Sequence, residues 1–317
     1  MMNLSPTPGH RRPDFVRVLL LATAAILLLG RIVRADAVIA EWNVACGIEL
    51  GAGHTGRPIP PERIKRIGEI IAQKIQPDVI VLSEVFPAHA AADIAAAATK
   101  AGWKMQATVV PKQPAGCTQF LAFLKRPGVR TSGTRALPGT EAADFPSTRR
   151  AIITKARVGA FDFYLVGVHF KSARGKPERT ARDGQCARLA DQLAQLDKAT
   201  AHPEHDFLVV GDYNMIPAQD ASNFAALNRH STFRFLSNSV LGTTHVGACN
   251  AGVPVGNHLD GYAIATPATQ EFISGTMEIL NHERLGLPCS AFLESSPNFV
   301  SDHFPLRARF RTDQDDD

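Results

Sequence analysis

The chain has 317 residues, of which 45% are hydrophobic and 20% are charged. This composition excludes a disordered or fibrous protein and fits a globular protein with a hydrophobic core. The 34 Lys and Arg residues against 30 Asp and Glu give a formal net charge of +4, which is too small to indicate a polyanionic partner by itself.

The N-terminal segment has the pattern of a secretory signal peptide. Three arginines precede an apolar stretch at residues 18–30, and Ala35-Asp36-Ala37 then resembles a small-residue cleavage site. The stretch is shorter than the roughly twenty residues that a membrane-spanning helix needs. We therefore predict that residues 1–37 direct export to the periplasm or the medium and that no stable membrane span is present. Arg31 and Arg34, beyond the stretch, keep an uncleaved anchor as the alternative.

Removal of the leader changes the charge balance. The segment contains five Arg and two Asp, so 29 basic and 28 acidic residues remain. The charge of the mature chain neither supports nor excludes a nucleic-acid substrate.

The five cysteines, Cys46, Cys117, Cys186, Cys249 and Cys289, all follow the predicted leader. An oxidising compartment favours their pairing, and the odd number leaves at least one thiol free. Spacing alone does not define the pairs. We expect Cys249 to pair with Cys289 because both lie in the loop-rich C-terminal third. No Cys/His spacing typical of a structural zinc site occurs.

After the leader, short apolar runs alternate with amphipathic stretches. In chain order, we predict a strand at 38–44, a helix at 61–74, a strand at 79–82, a helix at 88–101, strands at 103–110, 119–124, 151–154 and 161–169, a helix at 178–198, and strands at 207–210, 261–265, 275–279 and 306–310. The acidic tail at 313–317 is predicted to be solvated and disordered.

This order of elements favours two sheets packed face to face with helices outside. The alternative is a parallel doubly wound fold. It has less support, because no Gly-x-Gly-x-x-Gly motif follows a strand and no P-loop is present.

Polar side chains recur where the predicted strands begin or end. They are Asn43, Glu84, His169, Asp212, Asp260, Asp302 and His303. Each alone has an ordinary explanation as a cap, a turn residue or a core histidine. Strand ends of a layered fold gather on one edge, however, so residues distant in sequence can converge there.

The motifs around these residues resemble the endonuclease/exonuclease/phosphatase (DNase I-like) superfamily. The resemblance extends from about residue 38 to 310 and rests on Trp-Asn at 42–43, PDVIVLSE at 77–84, VHFKS at 168–172, GDYN at 211–214, LDGY at 259–262 and SDHFP at 301–305. It implies a four-layer α/β sandwich, with two mixed, mainly antiparallel sheets between helices. Residues 38–312 would form this domain. It further implies a Mg²⁺ or Mn²⁺ ion held mainly by Glu84, with Asn43 and Asp302, which offer the oxygen ligands such ions prefer.

The resemblance also implies catalytic roles. His303, oriented by Asp260, corresponds to a general-base pair, and Asp212 and Asn214 would position the attacking water and the phosphate. His169 would stabilise charge on a non-bridging phosphate oxygen. Whether Asp212 or His303 accepts the proton stays open.

Several positions depart from the usual motifs. Gly167-Val168 replaces the Asn-Thr that often precedes the histidine, Ser83 replaces Gln, Tyr213 replaces Phe, and Gly261 separates Asp from Tyr. None of these changes removes a reacting group. They are typical of divergent, exported bacterial members.

Other charged residues are weaker candidates. Arg149, Arg150 and Lys171 could contact substrate phosphate, since arginine binds phosphate oxygens in a bidentate manner, although solvated surface positions explain them equally well. We expect no catalytic role for three further histidines, His54, His202 and His205.

The sequence therefore predicts an exported, monomeric phosphodiesterase of nuclease-like activity. The main alternative is a lipid or small-molecule phosphodiesterase or phosphatase similar to sphingomyelinases, and a remote one is a non-catalytic binding protein. A basic groove with Arg or aromatic side chains would favour nucleic acid, and an exposed apolar hairpin near the site would favour lipid.

Overall fold

The structure is a computed structural model that describes residues 36–48, 56–199, 206–236, 242–266 and 269–315. Residues 1–35 of the predicted leader, His54, His202 and His205, and the last two residues of the acidic tail lie outside the described residues. The first strand begins at Asp36, so the final two residues of the predicted leader belong to a described strand.

The described residues form strands that we number β1 to β16. The first eight are β1 Asp36–Asn43, β2 Gly47–Ile48, β3 Gly56–Arg57, β4 Val79–Val85, β5 Gln106–Ala107, β6 Phe120–Lys125, β7 Arg130–Ala136 and β8 Ile152–Val158. The others are β9 Phe161–His169, β10 Phe207–Asp212, β11 Phe233–Phe235, β12 His245–Asn250, β13 Val253–Asn257, β14 Asp260–Ala265, β15 Glu278–Ile279 and β16 Leu306–Arg311.

The helices lie between these strands. They are α1 Pro61–Ile70, which continues as a π-helical turn at Ile71–Ile75, α2 Ala90–Lys100, α3 Lys176–Ala199, α4 Ala221–Leu227 and α5 His282–Leu285, with a 3₁₀ turn at Cys289–Phe292. Within the described part of the chain, no helix is long and apolar enough to cross a bilayer.

Two six-stranded sheets carry most of the strands. The first has the order β15-β16-β1-β4-β6-β5 and the second the order β11-β14-β10-β9-β8-β7. Each sheet contains one parallel pair, β1 with β4 and β9 with β10, and its other pairs are antiparallel. The predicted pair of mixed, mainly antiparallel sheets is confirmed, and the doubly wound alternative is wrong.

Side-chain alternation explains the layers. In β9, Leu165 belongs to the hydrophobic cluster that joins the two sheets, whereas Val166 belongs to a second cluster beneath α3 and α4. Leu208 and Val209 of β10 divide in the same way. A strand buried on both faces reads as a continuous apolar run, which is why these central strands are visible in the sequence.

The loop after α2 corrects one strand prediction. Only Gln106–Ala107 of the predicted strand 103–110 pairs with β6. Pro111 follows directly and cannot donate a ladder hydrogen bond. Val109 is 78% exposed, so an apolar run here does not mark a buried strand.

The segment before β15 corrects another. Of the predicted strand 275–279 only Glu278–Ile279 pairs with β16. Gly275 has a φ of +78°, and the Thr276 hydroxyl donates to the Ile273 carbonyl at 2.6 Å, so a turn occupies the predicted start of the strand.

The predicted disulfide between Cys249 and Cys289 is confirmed, with the two Cα atoms 6.1 Å apart. It joins β12 to the 3₁₀ turn before β16 and so anchors the β12–β13 hairpin to the domain. Cys46, Cys117 and Cys186 are free thiols.

Candidate active site

Strand pairing brings the predicted site residues to one edge of both sheets. Asn43 at the end of β1 is in register with Ser83, next to Glu84, and Asp212 at the end of β10 is in register with His169. Asp260 at the start of β14 lies opposite Asp212. The carboxyl ends of the two parallel pairs therefore meet, which is where α/β proteins usually bind ligands.

The Glu84 carboxylate owes its direction to a bulge. The register of β4 with β6 shifts between Leu82 and Val85, and Glu84 has a φ of +56°, in the left-handed region that non-glycine residues seldom adopt. Its Oε1 accepts a hydrogen bond from Asn43 Nδ2 at 3.3 Å. Strained backbone of this kind is concentrated at functional sites.

Gly211 allows Asp212 to sit between β9 and β14. Its φ is +142°, and a Cβ atom at this position would lie 2.1 Å from the backbone oxygen of Val168 in the adjacent strand β9. No other residue fits without separating the parallel pair. The glycine of the Gly-Asp-aromatic-Asn motif is therefore required by strand packing rather than by chemistry.

We expect the Gly211→Ala variant to lose at least about tenfold in phosphodiesterase activity and about 1–3 kcal/mol in free energy of unfolding, because the clash displaces Asp212 and His169 together. Urea unfolding and initial-rate assays measure both quantities. Gly128→Ala is the control, since nothing lies within 4 Å of a Cβ added there. Equal behaviour of the two variants would refute this account of Gly211.

Asp212 is the centre of the contact network and is 1% exposed. Its Oδ2 accepts from Asn43 Nδ2 at 3.1 Å and lies 3.4 Å from His169 Nε2 and 3.9 Å from His303 Nε2. Its Oδ1 accepts from the Asn214 backbone N–H at 2.8 Å. Residues from two strand ends and two loops thus converge on one carboxylate.

His303 is held on several sides. Its Nδ1 lies 2.8 Å from Asp260 Oδ2, and its backbone N–H donates to the Ser301 hydroxyl at 3.0 Å. That hydroxyl donates to the Asn43 carbonyl at 2.6 Å, and the Trp42 indole N–H donates to the His303 carbonyl at 2.8 Å. The carboxylate fixes the imidazole orientation and leaves Nε2 facing the site.

Burial and the negative charge of neighbouring carboxylates raise the pKa values of the carboxyl groups in the site. Burial first, and then the charge of Asp302, raise the pKa of Glu84. Burial and the charge of Asp260 raise the pKa of Asp212 to about 7. These shifts reflect several carboxylates in one buried cluster, which is the arrangement that a divalent cation stabilises.

The pKa values of His169 and His303 shift in opposite directions. Burial, followed by the charge of Arg149, lowers the pKa of His169 well below its usual value, so this ring is neutral. Burial alone would lower the pKa of His303, but the charges of Asp260 and Asp302 and the Asp260 hydrogen bond raise it well above the usual value.

The predicted metal ligands, Asn43, Glu84 and Asp302, have the chemistry that a hard divalent cation prefers. Asn43 contributes an amide oxygen that accepts the Ala45 N–H at 2.9 Å, and Glu84 contributes a carboxylate whose Oε2 lies 3.6 Å from Cys46 Sγ. Asp302 contributes a second carboxylate, with a side chain 22% exposed. Oxygen ligands of this kind suit Mg²⁺ or Mn²⁺ better than zinc.

Arg149 was predicted to contact the substrate, but its guanidinium forms hydrogen bonds with other parts of the protein. Its guanidinium donates to the carbonyl oxygens of His169 at 3.2 Å and Phe170 at 2.8 Å, and to the side-chain oxygen of Gln119 at 2.7 Å. It is 6% exposed. These contacts support a role in positioning the end of β9.

Arg150 and Lys171 are also engaged by neighbours. Arg150 forms a bidentate pair with Glu141, with both distances 2.9 Å. The Lys171 ammonium donates to the Ser172 carbonyl at 3.0 Å and lies 4.8 Å from the centroid of the Phe145 ring. Their contacts therefore give no direct support to phosphate binding.

His245 and Glu41 lie beside the predicted site residues but were not predicted as part of the site. His245 of β12 has its Nε2 3.7 Å from Asp302 Oδ2 and its ring 4.9 Å from that of His303. Glu41 of β1 is 1% exposed, its carboxylate oxygens lack a hydrogen-bond partner among the described residues, and burial followed by the charge of Asp260 raises its pKa. A charged residue within the apolar run VIAEWNV was the only sequence signal for Glu41.

Comparison with known proteins identifies the family. The sequence profile of the Endonuclease/Exonuclease/phosphatase family matches residues 40–303, which is most of the chain and includes every residue of the cluster described above. The chain belongs to this family. Its members are metal-dependent phosphoric ester hydrolases, and this protein is an enzyme of that class.

Solved structures agree on the fold. An endonuclease/exonuclease/phosphatase family protein from Bacteroides thetaiotaomicron has a TM-score of 0.61 at 12% identity, with 89% of this chain and 98% of that chain covered. The human nocturnin catalytic domain with bound sulfate has a TM-score of 0.55 at 16% identity, with 87% of this chain and 94% of that chain covered. D. rerio TDP2 complexed with a single-strand DNA product has a TM-score of 0.57 at 15% identity, with 88% of this chain and 100% of that chain covered. No curated protein sequence matches the chain.

Proposed function

We propose that this protein is an exported phosphodiesterase of nuclease-like activity that hydrolyses P–O bonds with an activated water. The main support is one arrangement: the His303 imidazole, held 2.8 Å from Asp260, faces the Asp212 carboxylate beside the Asn43–Glu84 pair. A base fixed by a carboxylate and set next to oxygen ligands is what metal-assisted attack of water on phosphorus requires.

Glu84, Asn43 and Asp302 would hold the cation, which we propose to be Mg²⁺ or Mn²⁺. When bound, the ion would neutralise charge on a phosphate oxygen and so make the phosphorus a better electrophile. The neutral His169 ring would donate a hydrogen bond to a non-bridging oxygen, because the low pKa of this histidine keeps it from pairing as a cation with Glu84 or Asp212.

Asp212 and Asn214 would orient the water. Two groups are available to accept its proton, Asp212 Oδ2 and His303 Nε2, which lie 3.9 Å apart. In the neutral form of His303, the hydrogen bond from Nδ1 to Asp260 leaves Nε2 free to accept the proton. The charges of Asp260 and Asp302 raise the pKa of His303, so a bound cation that offsets those charges would favour this neutral form.

A nucleic-acid substrate has support from two sources. D. rerio TDP2, which has a similar fold, was solved with a single-strand DNA product. In this chain, Arg63, Arg66 and Phe299 line a cavity, and the Arg63 guanidinium donates to the carbonyl of Ala45, two residues from Asn43. Arginine and aromatic side chains beside a hydrolytic site suit a polyanion with flat bases.

A lipid substrate is the second candidate, and the β12–β13 hairpin favours it. Val253 and Val255 on this hairpin are 62% and 45% exposed, while its first residue, His245, lies against Asp302 and His303. Exposed apolar side chains on an element that reaches the site could rest on a membrane surface. Sphingomyelin hydrolysis that exceeds DNA hydrolysis would favour this candidate.

EDTA is expected to abolish hydrolysis of bis(p-nitrophenyl) phosphate by the purified full-length chain, and excess Mg²⁺ or Mn²⁺ to restore it, because removal of the cation leaves the Glu84–Asp302 carboxylates uncompensated. The initial rate of nitrophenolate release measures both steps. Full activity in excess chelator would exclude the proposed role of Glu84, Asn43 and Asp302.

Export is supported by the leader pattern and by the Cys249–Cys289 disulfide, since such bonds persist mainly in oxidising compartments. N-terminal sequencing of protein recovered from the periplasm or the medium tests it. Recovery only from the cytoplasm, with the N-terminus unprocessed, would contradict the proposal.

A further inference from the structure

A cavity of about 420 Å³ opens between the start of α1 and the segment at 297–299, and its lining includes Arg63, Arg66 and Phe299. The catalytic roles proposed above use none of these residues. Glu62 and Asn298 also contribute to the lining. The cavity therefore combines two guanidinium groups, an aromatic ring and one carboxylate.

Arg63 links this cavity to the active site. One Nη atom donates to the Ala45 carbonyl, and the Ala45 N–H donates to Asn43 Oδ1 at 2.9 Å. Arg63 thus lies two hydrogen bonds from a proposed metal ligand. Its charge also acts on Glu84 and Asp302.

The Arg63 guanidinium is held by one hydrogen bond and a ring contact, but one of its N–H donors has no partner among the described residues. The residue is 8% exposed, and its carbon Cζ lies 5.1 Å from the centroid of the Phe299 ring. Its Nε has no hydrogen-bond partner among the described residues. A buried, charged donor without a partner is costly, so a small movement of the Arg63 side chain that brings Nε to an anion in the cavity would be favourable.

Arg66 adds to the positive charge of the cavity lining. Arg66, one turn along α1, is half-buried and donates from Nη1 to the Asn298 carbonyl at 2.7 Å. Glu62 is an exposed carboxylate in the first turn of α1, so the cavity lining has two arginines against one acid.

We propose that this cavity is a subsite for the nucleotide that flanks the scissile phosphate, with its phosphate against Arg63 and Arg66 and its base stacked on Phe299. This inference rests on the proposed function and specifies its substrate class. Arginine binds phosphate with directed donors, and aromatic rings stack bases without regard to sequence. A choline headgroup is disfavoured, since Arg63 already places a cation over the Phe299 ring.

The test uses variants of the two more exposed residues, Arg66→Gln and Phe299→Leu, so that folding is preserved. Lys65→Gln is the matched control, because Lys65 lies on the same helix with its side chain 74% exposed. For each full-length protein, kcat/KM is measured with Mg²⁺ on a single-stranded DNA oligonucleotide and on bis(p-nitrophenyl) phosphate, which has no flanking nucleotide. We expect the ratio of the two values to fall about tenfold or more in both variants and to stay unchanged in Lys65→Gln.

An unchanged ratio in both variants would overturn the subsite, as would losses confined to sphingomyelin vesicles. Binding is measured separately, by the fluorescence anisotropy of a labelled oligonucleotide in EDTA. Weaker binding by Arg66→Gln than by Lys65→Gln supports the subsite, and equal binding contradicts it. If the wild-type protein hydrolyses neither substrate, the proposed function fails, and the anisotropy result still decides whether the cavity binds a nucleotide strand.

Discussion

The His303→Ala variant is expected to lose about 100- to 10,000-fold in kcat/KM for a phosphodiester, because a positioned acid–base group contributes rate factors of that size. The fold should be retained, since the contacts of the His303 backbone with Ser301 and Trp42 remain in the variant. Initial rates at saturating Mg²⁺, together with circular dichroism, measure the two effects.

His89→Ala is the matched control, because this histidine lies before α2 with its side chain 76% exposed. Its activity should equal that of the wild type. If His303→Ala is folded and retains wild-type activity, the Asp260–His303 pair has no part in catalysis and the proposed mechanism is wrong.

The Glu84→Gln variant is expected to bind Mg²⁺ or Mn²⁺ at least about 100-fold more weakly, since even indirect partners of metal ligands contribute 10- to 100-fold. Glutamine keeps the size of the side chain and an oxygen that can accept the Asn43 hydrogen bond, so the charge is the main change. The dependence of the rate on Mg²⁺ concentration, and isothermal titration with Mn²⁺, measure the affinity.

Glu69→Gln serves as the control for that experiment, because Glu69 is on α1 with its side chain 42% exposed and pairs with Lys65. Equal metal affinity of the Glu84 and Glu69 variants would remove Glu84 from the metal site. Asp302 and Asn43 would then have to hold the cation without it.

The sequence was sufficient to predict the fold and the convergence of most candidate site residues, because both depend on local patterns in the strands. The central strands are buried on both faces and form continuous apolar runs, and β9 has the predicted bounds, Phe161–His169. The polar residues that end those runs, Asn43, His169 and Asp212, meet because parallel neighbours end at one edge. The family motifs then identified the residues in the loops.

His245 could not be predicted, because its position depends on long-range pairing. The hairpin that carries it contains Gly and Pro, with little apolar alternation in its sequence. It reaches the site through a bridge to His303 and a hydrogen bond from the Val246 N–H to the Asp302 carbonyl at 2.7 Å. No local pattern encodes such contacts.

The roles of the arginines could not be predicted for a related reason. In the sequence, Arg149 and Arg63 both lie near other basic residues, and nothing local distinguishes them. In the structure, the Arg149 guanidinium is bonded to backbone and side-chain oxygens around β9, while Arg63 retains an unpartnered Nε beside a cavity. The two arginines differ because the folded protein places more hydrogen-bond acceptors around the Arg149 guanidinium than around that of Arg63.

The most direct test of the central claim is hydrolysis of plasmid DNA, RNA, sphingomyelin and bis(p-nitrophenyl) phosphate by the purified protein with Mg²⁺, beside the Asp212→Asn variant. We predict hydrolysis of at least one diester by the wild type, with nucleic acid the preferred substrate, and its loss in the variant, since Asp212 is the carboxylate on which the cluster converges. Equal activity of the two proteins, or no hydrolysis of any of the four substrates by the wild type, would contradict the proposed mechanism.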